Sequence, residues 1–182
     1  DIHEADARCY PVETRLSGHV STMPLPIRVA EAVIRALHDE PGSVLVFLPG
    51  EGEIRRTIER LQGAELPPGV SLYPLYGALS PAEQDAAVAP APPGRRKVVL
   101  ATSIAETSLT IEGIRVVIDS GWMRVPRFSP RHGMTRLETL RVTRDRADQR
   151  RGRAGRLEPG VCYRLWDEAA DRQISPEALP EI

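Results

Sequence analysis

Short apolar runs separated by helical segments constrain this chain more than any other feature. "SVLVFLPG" (43–50) is a continuous apolar stretch bounded by turn residues, and "KVVLAT", "IRVVI" and "GVCYRLW" repeat the pattern further on. Runs of this length without polar alternation fit strands buried on both faces. "CYPVETRL" and "VSLYPLYG" add two more candidate strands. Between them, Val29, Val33 and Leu37 fall at i, i+4, i+8, and Ile54, Ile58 and Leu61 at i, i+4, i+7, each set marking one face of a helix. "SPAEQDAAV" carries a full start signal, with Ser80 at the N-cap, Pro81 at the first helical position and Glu83 closing a capping box. Strands alternating with helices predict an α/β fold with a parallel sheet.

One stretch breaks the alternation. "MRVPRF" and "MTRLETLRV", separated by "SPRHG", read as a β-hairpin excursion over about 122–142, with Pro126 placing one arm at an edge. The tail from 167 to 182 is acidic and proline-containing, and reads as the start of a linker. With 182 residues the chain suits one well-cored domain rather than two. It has no apolar run of membrane-spanning length and no signal-peptide pattern, so a cytoplasmic location is expected. Cys9 and Cys162 lie far apart without CxxC spacing, and the four histidines are scattered. Buried free thiols and no metal site are expected.

The net charge of −1 hides a strong asymmetry: between Arg115 and Arg156 stand twelve arginines against four acids. Within that span "ADQRRGRAGR" crowds Arg150, Arg151, Arg153 and Arg156 around Gly152 and Gly155. If the segment is helical to 156, then Gln149, Arg153 and Arg156 share a face, and two guanidiniums converge where a polyphosphate would match their donor forks. The glycines weaken such a helix, a cost that makes sense where a backbone or a nucleotide approaches closely. A solvated basic helix is the alternative. "ATSIAETSLTIEG" forms a second candidate, delivering Thr102, Ser103, Thr107, Ser108 and Thr110 after a strand end, where ligands of open α/β sheets bind. A turn whose hydroxyls bond only their own backbone is equally compatible. The phosphate-loop pattern GxxxxGK[ST] (Walker A) does not occur, Lys97 being the only lysine, and Asp119 after "VVI" reads as a turn cap.

These segments resemble a known family. "ATSIAETSLTI" is similar to motif V, "QRRGRAGR" to motif VI and "LVFLPGEGEI" to motif IV of the superfamily 2 DEAH-box helicases. "YPVETRL", "PLYGALSPAEQ", "APAPPGRRKVVL" and "RLEPGVCYRLW" most resemble the bacterial HrpB group of ATP-dependent helicases. The resemblance implies a second RecA-like domain over residues 1–166, with helices on both faces of the sheet. A first RecA-like domain carrying the Walker A loop and DEAH box would precede it, and a winged-helix domain would follow. It further implies ATP with magnesium as cofactor, the metal being held mainly by that first domain. The partner would be single-stranded nucleic acid, RNA rather than DNA, and the fragment alone would be inactive.

Residue by residue, the resemblance makes Arg153 and Arg156 arginine fingers and Gln149 the residue that orders the attacking water. Ser108, Thr110, Glu112 and Val88 would face the nucleotide; Gly50, Thr102 and Ser103 would hold nucleic-acid phosphates. Three positions depart from the family pattern. Ser103 stands for Asn, Glu112 for Asp, and Val88 for an aromatic ring over adenine, which predicts weak discrimination among nucleoside triphosphates. A rival reading is a non-catalytic nucleic-acid-binding module that uses the arginine-rich span as a phosphate patch. In that case the arginines would line an open surface, whereas the helicase reading expects Arg153 and Arg156 at the carboxyl edge of the sheet.

Overall fold

The computed structural model describes residues 10–17 and 21–177, so Cys9, His3 and His19 lie outside the described residues. Eight strands and six helices are present among them: β1 (Val12–Leu16), α1 (Leu25–Asp39), β2 (Ser43–Phe47), α2 (Glu51–Gln62), β3 (Val70–Leu75), α3 (Pro81–Val88), β4 (Arg96–Ala101), α4 (Ile104–Thr107), β5 (Ile114–Asp119), β6 (Trp122–Ser129), β7 (Met134–Arg141), α5 (Arg144–Gly152), β8 (Gly160–Arg164) and α6 (Glu168–Gln173). Six strands form one sheet in the order β1-β8-β5-β2-β4-β3, and every pairing in it is parallel. β6 and β7 form the expected antiparallel hairpin. Among the described residues no helix is long and apolar enough to cross a membrane.

A parallel sheet covered on both faces must bury every residue of its central strands, and β2 does so throughout. Alternate side chains build two separate cores. Val44, Val46, Val98, Leu100, Val116 and Ile118 meet Val29, Val33 and Leu37 of α1 and Ile54 and Leu61 of α2. The residues between them, Leu45, Phe47, Val99, Ala101 and Val117, face the other way, toward Ala87 of α3 and Ala105 of α4. Cys162 belongs to this second core, where burial pushes its thiol up to about 12, so it supplies no thiolate at neutral pH. β3 lies at the sheet edge, where Pro74, which has no N–H to donate, is tolerated.

The same alternation positions two cations. Arg96 and Lys97 are neighbours at the start of β4, so their side chains leave opposite faces. Arg96 donates to the carbonyls of Leu37, Glu40 and Gly42 at the end of α1, at 2.6 to 2.9 Å. Lys97 donates to Ala86, Ala87 and Ala89 at the end of α3, at 2.5 to 2.8 Å. Each closes a helix C-terminus whose last carbonyls have no intrahelical partner, and burial lowers the pKa of both groups. The capping box at Ser80 is formed as the sequence predicts, with Glu83 N–H donating to Ser80 Oγ at 3.2 Å and Ser80 N–H to Glu83 Oε1 at 3.0 Å.

One sequence expectation is revised. α5 ends at Gly152 with Arg153 as its C-cap, so the helix does not continue to 156, and Gln149, Arg153 and Arg156 do not share one helical face. The chain instead turns against the amino ends of β1 and β8. Tyr10 N–H donates to Gly155 O at 2.7 Å, and Gly160 N–H to Pro11 O at 3.1 Å. Of the stretch 167–182 expected to open a linker, residues 178–182 lie outside the described residues, and the segment up to 177 contacts the domain. Trp166, Ile174, Val142 and Ala147 form a small third core, and Arg144 pairs with Asp171 at 3.0 Å.

The two glycines of the arginine segment have different reasons. A Cβ at Gly155 would lie 2.5 Å from Tyr10 O and 2.7 Å from Val12 Cγ2, so the close approach is made by another backbone. At Gly152 the space is open. Urea titrations should therefore separate them: Gly155→Ala lowers stability by about 1–3 kcal/mol through overpacking, whereas Gly152→Ala raises it by up to about 1 kcal/mol.

Candidate functional site

Leu16, Arg164, Asp119, Phe47, Ala101 and Leu75 stand level across the sheet and end its six strands in one row. Past that row β2 continues into Gly50, the N-cap of α2, and β4 into Thr102 and Ser103 ahead of α4. Leu48 N–H donates to Ala101 O at 2.8 Å and Thr102 N–H to Leu75 O at 3.1 Å, which fixes the two loops side by side. The three residues expected to hold nucleic-acid phosphates are thus adjacent at the carboxyl edge. Gly50 is buried, because the Arg124 guanidinium at the base of the hairpin lies over it where a Cβ would otherwise sit. Arg124 makes a two-pronged contact with Glu53 in the first turn of α2, at 3.2 and 2.9 Å, and holds that carboxylate's pKa below its usual value.

Beneath the edge lies a charged knot. The Arg150 side chain is fully buried; its Nε donates to Glu106 Oε2 and its Nη1 to Asp119 Oδ1, both at 2.7 Å, and its guanidinium stacks 5.0 Å from the Phe47 ring centre. Further contacts reach Trp122 O at 3.2 Å and Ser103 Oγ at 3.4 Å. Burial opposes the charge on Arg150, and Asp119 and Glu106 outweigh it, so the pKa is raised. Asp119 Oδ1 also accepts from Gly121 N–H at 2.9 Å, so the carboxylate is the expected turn cap and an ion-pair partner at once. Sequence pattern alone misses this pairing: helical spacing turns Arg150 away from the face shared by Gln149, Arg153 and Arg156 but names no partner for it. A signal is nonetheless present: Asp119 ends an apolar strand and Glu106 sits between Ala105 and Thr107, two acids placed for burial that need a cation.

The other motif residues occupy different ground. Arg151 donates to Val12 O at 3.2 Å. Arg153 is half-buried at the end of α5, and Arg156 is exposed without an ion pair or hydrogen bond to any described residue. Both belong to the turn at the amino ends of β1 and β8, not to the carboxyl edge where they were expected. Gln149 is exposed on α5. Ser108, Thr110 and Glu112 are exposed after α4, and Val88 is half-buried at the end of α3 against the second core. The side chains of Thr102, Thr107, Ser108 and Thr110 make no hydrogen bond to the described residues, so the loop's hydroxyls are not consumed by their own backbone. No group of three His, Cys, Asp or Glu that could hold a metal occurs among the described residues.

Removing Arg150 alone strands two buried carboxylates. Arg150→Met should cost about 3–5 kcal/mol in chemical unfolding, and adding Glu106→Gln and Asp119→Asn should recover a large part of that loss.

Comparison with known proteins agrees with this geometry. The chain is 49% identical over 184 residues to the ATP-dependent RNA helicase HrpB of Escherichia coli K12, covering 98% of this chain and 22% of that protein. It is 42% identical over 188 residues to the pre-mRNA-splicing factor ATP-dependent RNA helicase prp22 of Schizosaccharomyces pombe, covering 100% of this chain and 16% of that one. The crystal structure of the Escherichia coli DExH-box NTPase HrpB superposes with a TM-score of 0.88 at 49% identity, over 95% of this chain and 21% of that one. The chain therefore spans about a fifth of the length of these relatives, and its α/β sheet has the RecA-like form of the helicase C-terminal domain. Residues 28–158 match the model of the helicase conserved C-terminal domain, and the chain belongs to that family.

Proposed function

We propose that this chain is the second RecA-like domain of an ATP-dependent RNA helicase, acting with a first RecA-like domain and C-terminal accessory domains of the same polypeptide. RNA as the bound strand and the cytoplasm as its compartment belong to this reading. The observation that carries it is the pairing of two loops at the carboxyl edge, where Thr102, Ser103 and Gly50 adjoin in a family member. Thr102 and Ser103 grip single-strand phosphates through their hydroxyls, and Gly50 contributes its backbone.

The nucleotide side of the proposal uses a different surface. Arg156, exposed and without a described partner, fits a phosphate oxygen, and Arg153 reaches the same phosphate from the end of α5. Gln149 orients the attacking water, while Ser108, Thr110, Glu112 and Val88 face the nucleotide. Bound ATP supplies the phosphoryl group, and this chain's residues stabilise the charge that develops on it. The metal that accompanies ATP belongs, in this reading, to the first domain. The rival, a non-catalytic phosphate patch, needs an open row of arginines. Arg150 is sealed, Arg151 is bonded to Val12 O and Arg153 is half-buried, which weighs against such a row.

The 182-residue chain alone should hydrolyse no ATP above background. Joined to its first RecA-like domain, the Arg156→Ala variant should lose about 10³-fold or more in RNA-stimulated kcat. Appreciable turnover by the isolated chain, or full activity of that variant, would contradict the assignment.

A further inference from the structure

The hairpin rises from the end of β5 and divides the carboxyl edge. Gly50, Thr102 and Ser103 lie on one side; on the other, past the ends of β8 and β1, is a cavity of about 230 Å³. Its walls come from α1, from the hairpin base and from the segment after β8. Three arginines line it: Arg28 and Arg35, two turns apart on α1, and Arg141, the last residue of β7. None of the three has a carboxylate partner among the described residues, and the buried Arg28 Nε has no hydrogen-bond partner. Burial and the charge of Arg141 both lower the pKa of Arg28, so the two cations repel across the cavity. Glu31 and Asp167 also line it, but Asp167 is already engaged in capping α6, accepting from Ala170 N–H at 2.8 Å. Three cations facing one uncommitted carboxylate, Glu31, leave an excess of positive charge that matches an anionic ligand.

We infer that this cavity is a second phosphate-binding site for single-stranded nucleic acid, held by Arg28, Arg35 and Arg141 on the opposite side of the hairpin from Thr102 and Ser103. The inference rests on the proposed function. A strand crossing the carboxyl edge would then be held on both sides of the hairpin, with the hairpin base between two grips. Arg141 lies over the Trp122 ring at 4.6 Å, and Trp166 closes the floor beside it. Both tryptophans of the chain line this cavity, so its tryptophan emission reports on the cavity.

The test titrates the 182-residue chain with a fluorescein-labelled decauridylate, following anisotropy for total binding and tryptophan emission for the cavity. Binding should change the emission along the anisotropy isotherm. Arg28→Gln with Arg35→Gln should weaken binding about tenfold and reduce the salt slope by about 0.7 for each phosphate no longer neutralised. Glu31→Gln, which removes a competing carboxylate, should tighten it. This exposed change guards against a result caused by misfolding of the arginine variants. Binding seen in anisotropy with silent tryptophans and unaltered variants would overturn the inference and leave the proposed function standing. No binding at all would overturn the inference, while the RNA-stimulated kcat of the joined domains still decides the proposed function. Emission that responds to inorganic tripolyphosphate but not to the oligonucleotide would assign the cavity to a small anion and equally overturn it.

Discussion

The buried guanidinium of Arg150 is the contact on which the functional half of the molecule depends. It draws together three segments distant in sequence: the loop after β4 through Glu106 and Ser103, the end of β5 through Asp119, and α5 itself. A charge with no access to water is tolerable only when its partners are fixed at short range, and the loss of one partner costs more than the pair contributes. The edge loop that carries Ser103 therefore cannot shift independently of the helix that carries Gln149. In the proposed function these are the nucleic-acid grip and the hydrolytic segment. Linking them through a fully desolvated ion cluster makes their relative position a property of the core.

A second constraint is the parallel sheet. It forces helices onto both faces, and every helix must end near a sheet edge with unpaired carbonyls. Arg96 and Lys97 close the ends of α1 and α3 from adjacent positions of one strand, using the two-residue period of β structure to reach opposite layers. The only lysine of the chain is thus consumed by architecture. Its position at a strand start, on the amino side of the sheet, separates it physically from the edge at which phosphates are proposed to bind.

Most of the fold was legible because each element carried its own local signature. β2 announced itself by an unbroken apolar run, α1 by Val29, Val33 and Leu37, and α3 by Ser80, Pro81 and Glu83, and all three stand where those signals place them. The hairpin was readable from "SPRHG" between two alternating arms. What local pattern could not supply was the partner of a buried charge. Arg150 resembles its neighbours in sequence and differs from them only through Asp119 and Glu106, 31 and 44 residues away. The end of α5 was hidden for a similar reason, since Gly155 is required by the distant backbone of Tyr10 and not by anything within the helix. Adjacency of Gly50 to Thr102 and Ser103 followed from the sheet rule, whereas the location of Arg153 and Arg156 needed the turn to be seen.

The Arg124–Glu53 contact gives the hairpin a mechanical character. Its first arm is bolted to the opening turn of α2 by two parallel bonds, directly above the Gly50 peptide. A projection anchored in this way behaves as a crank and not as a loose flap: torque applied at its tip is delivered to the root of α2. The pair is partly open to solvent, so raising ionic strength would slacken the bolt and decouple tip from root without unfolding either.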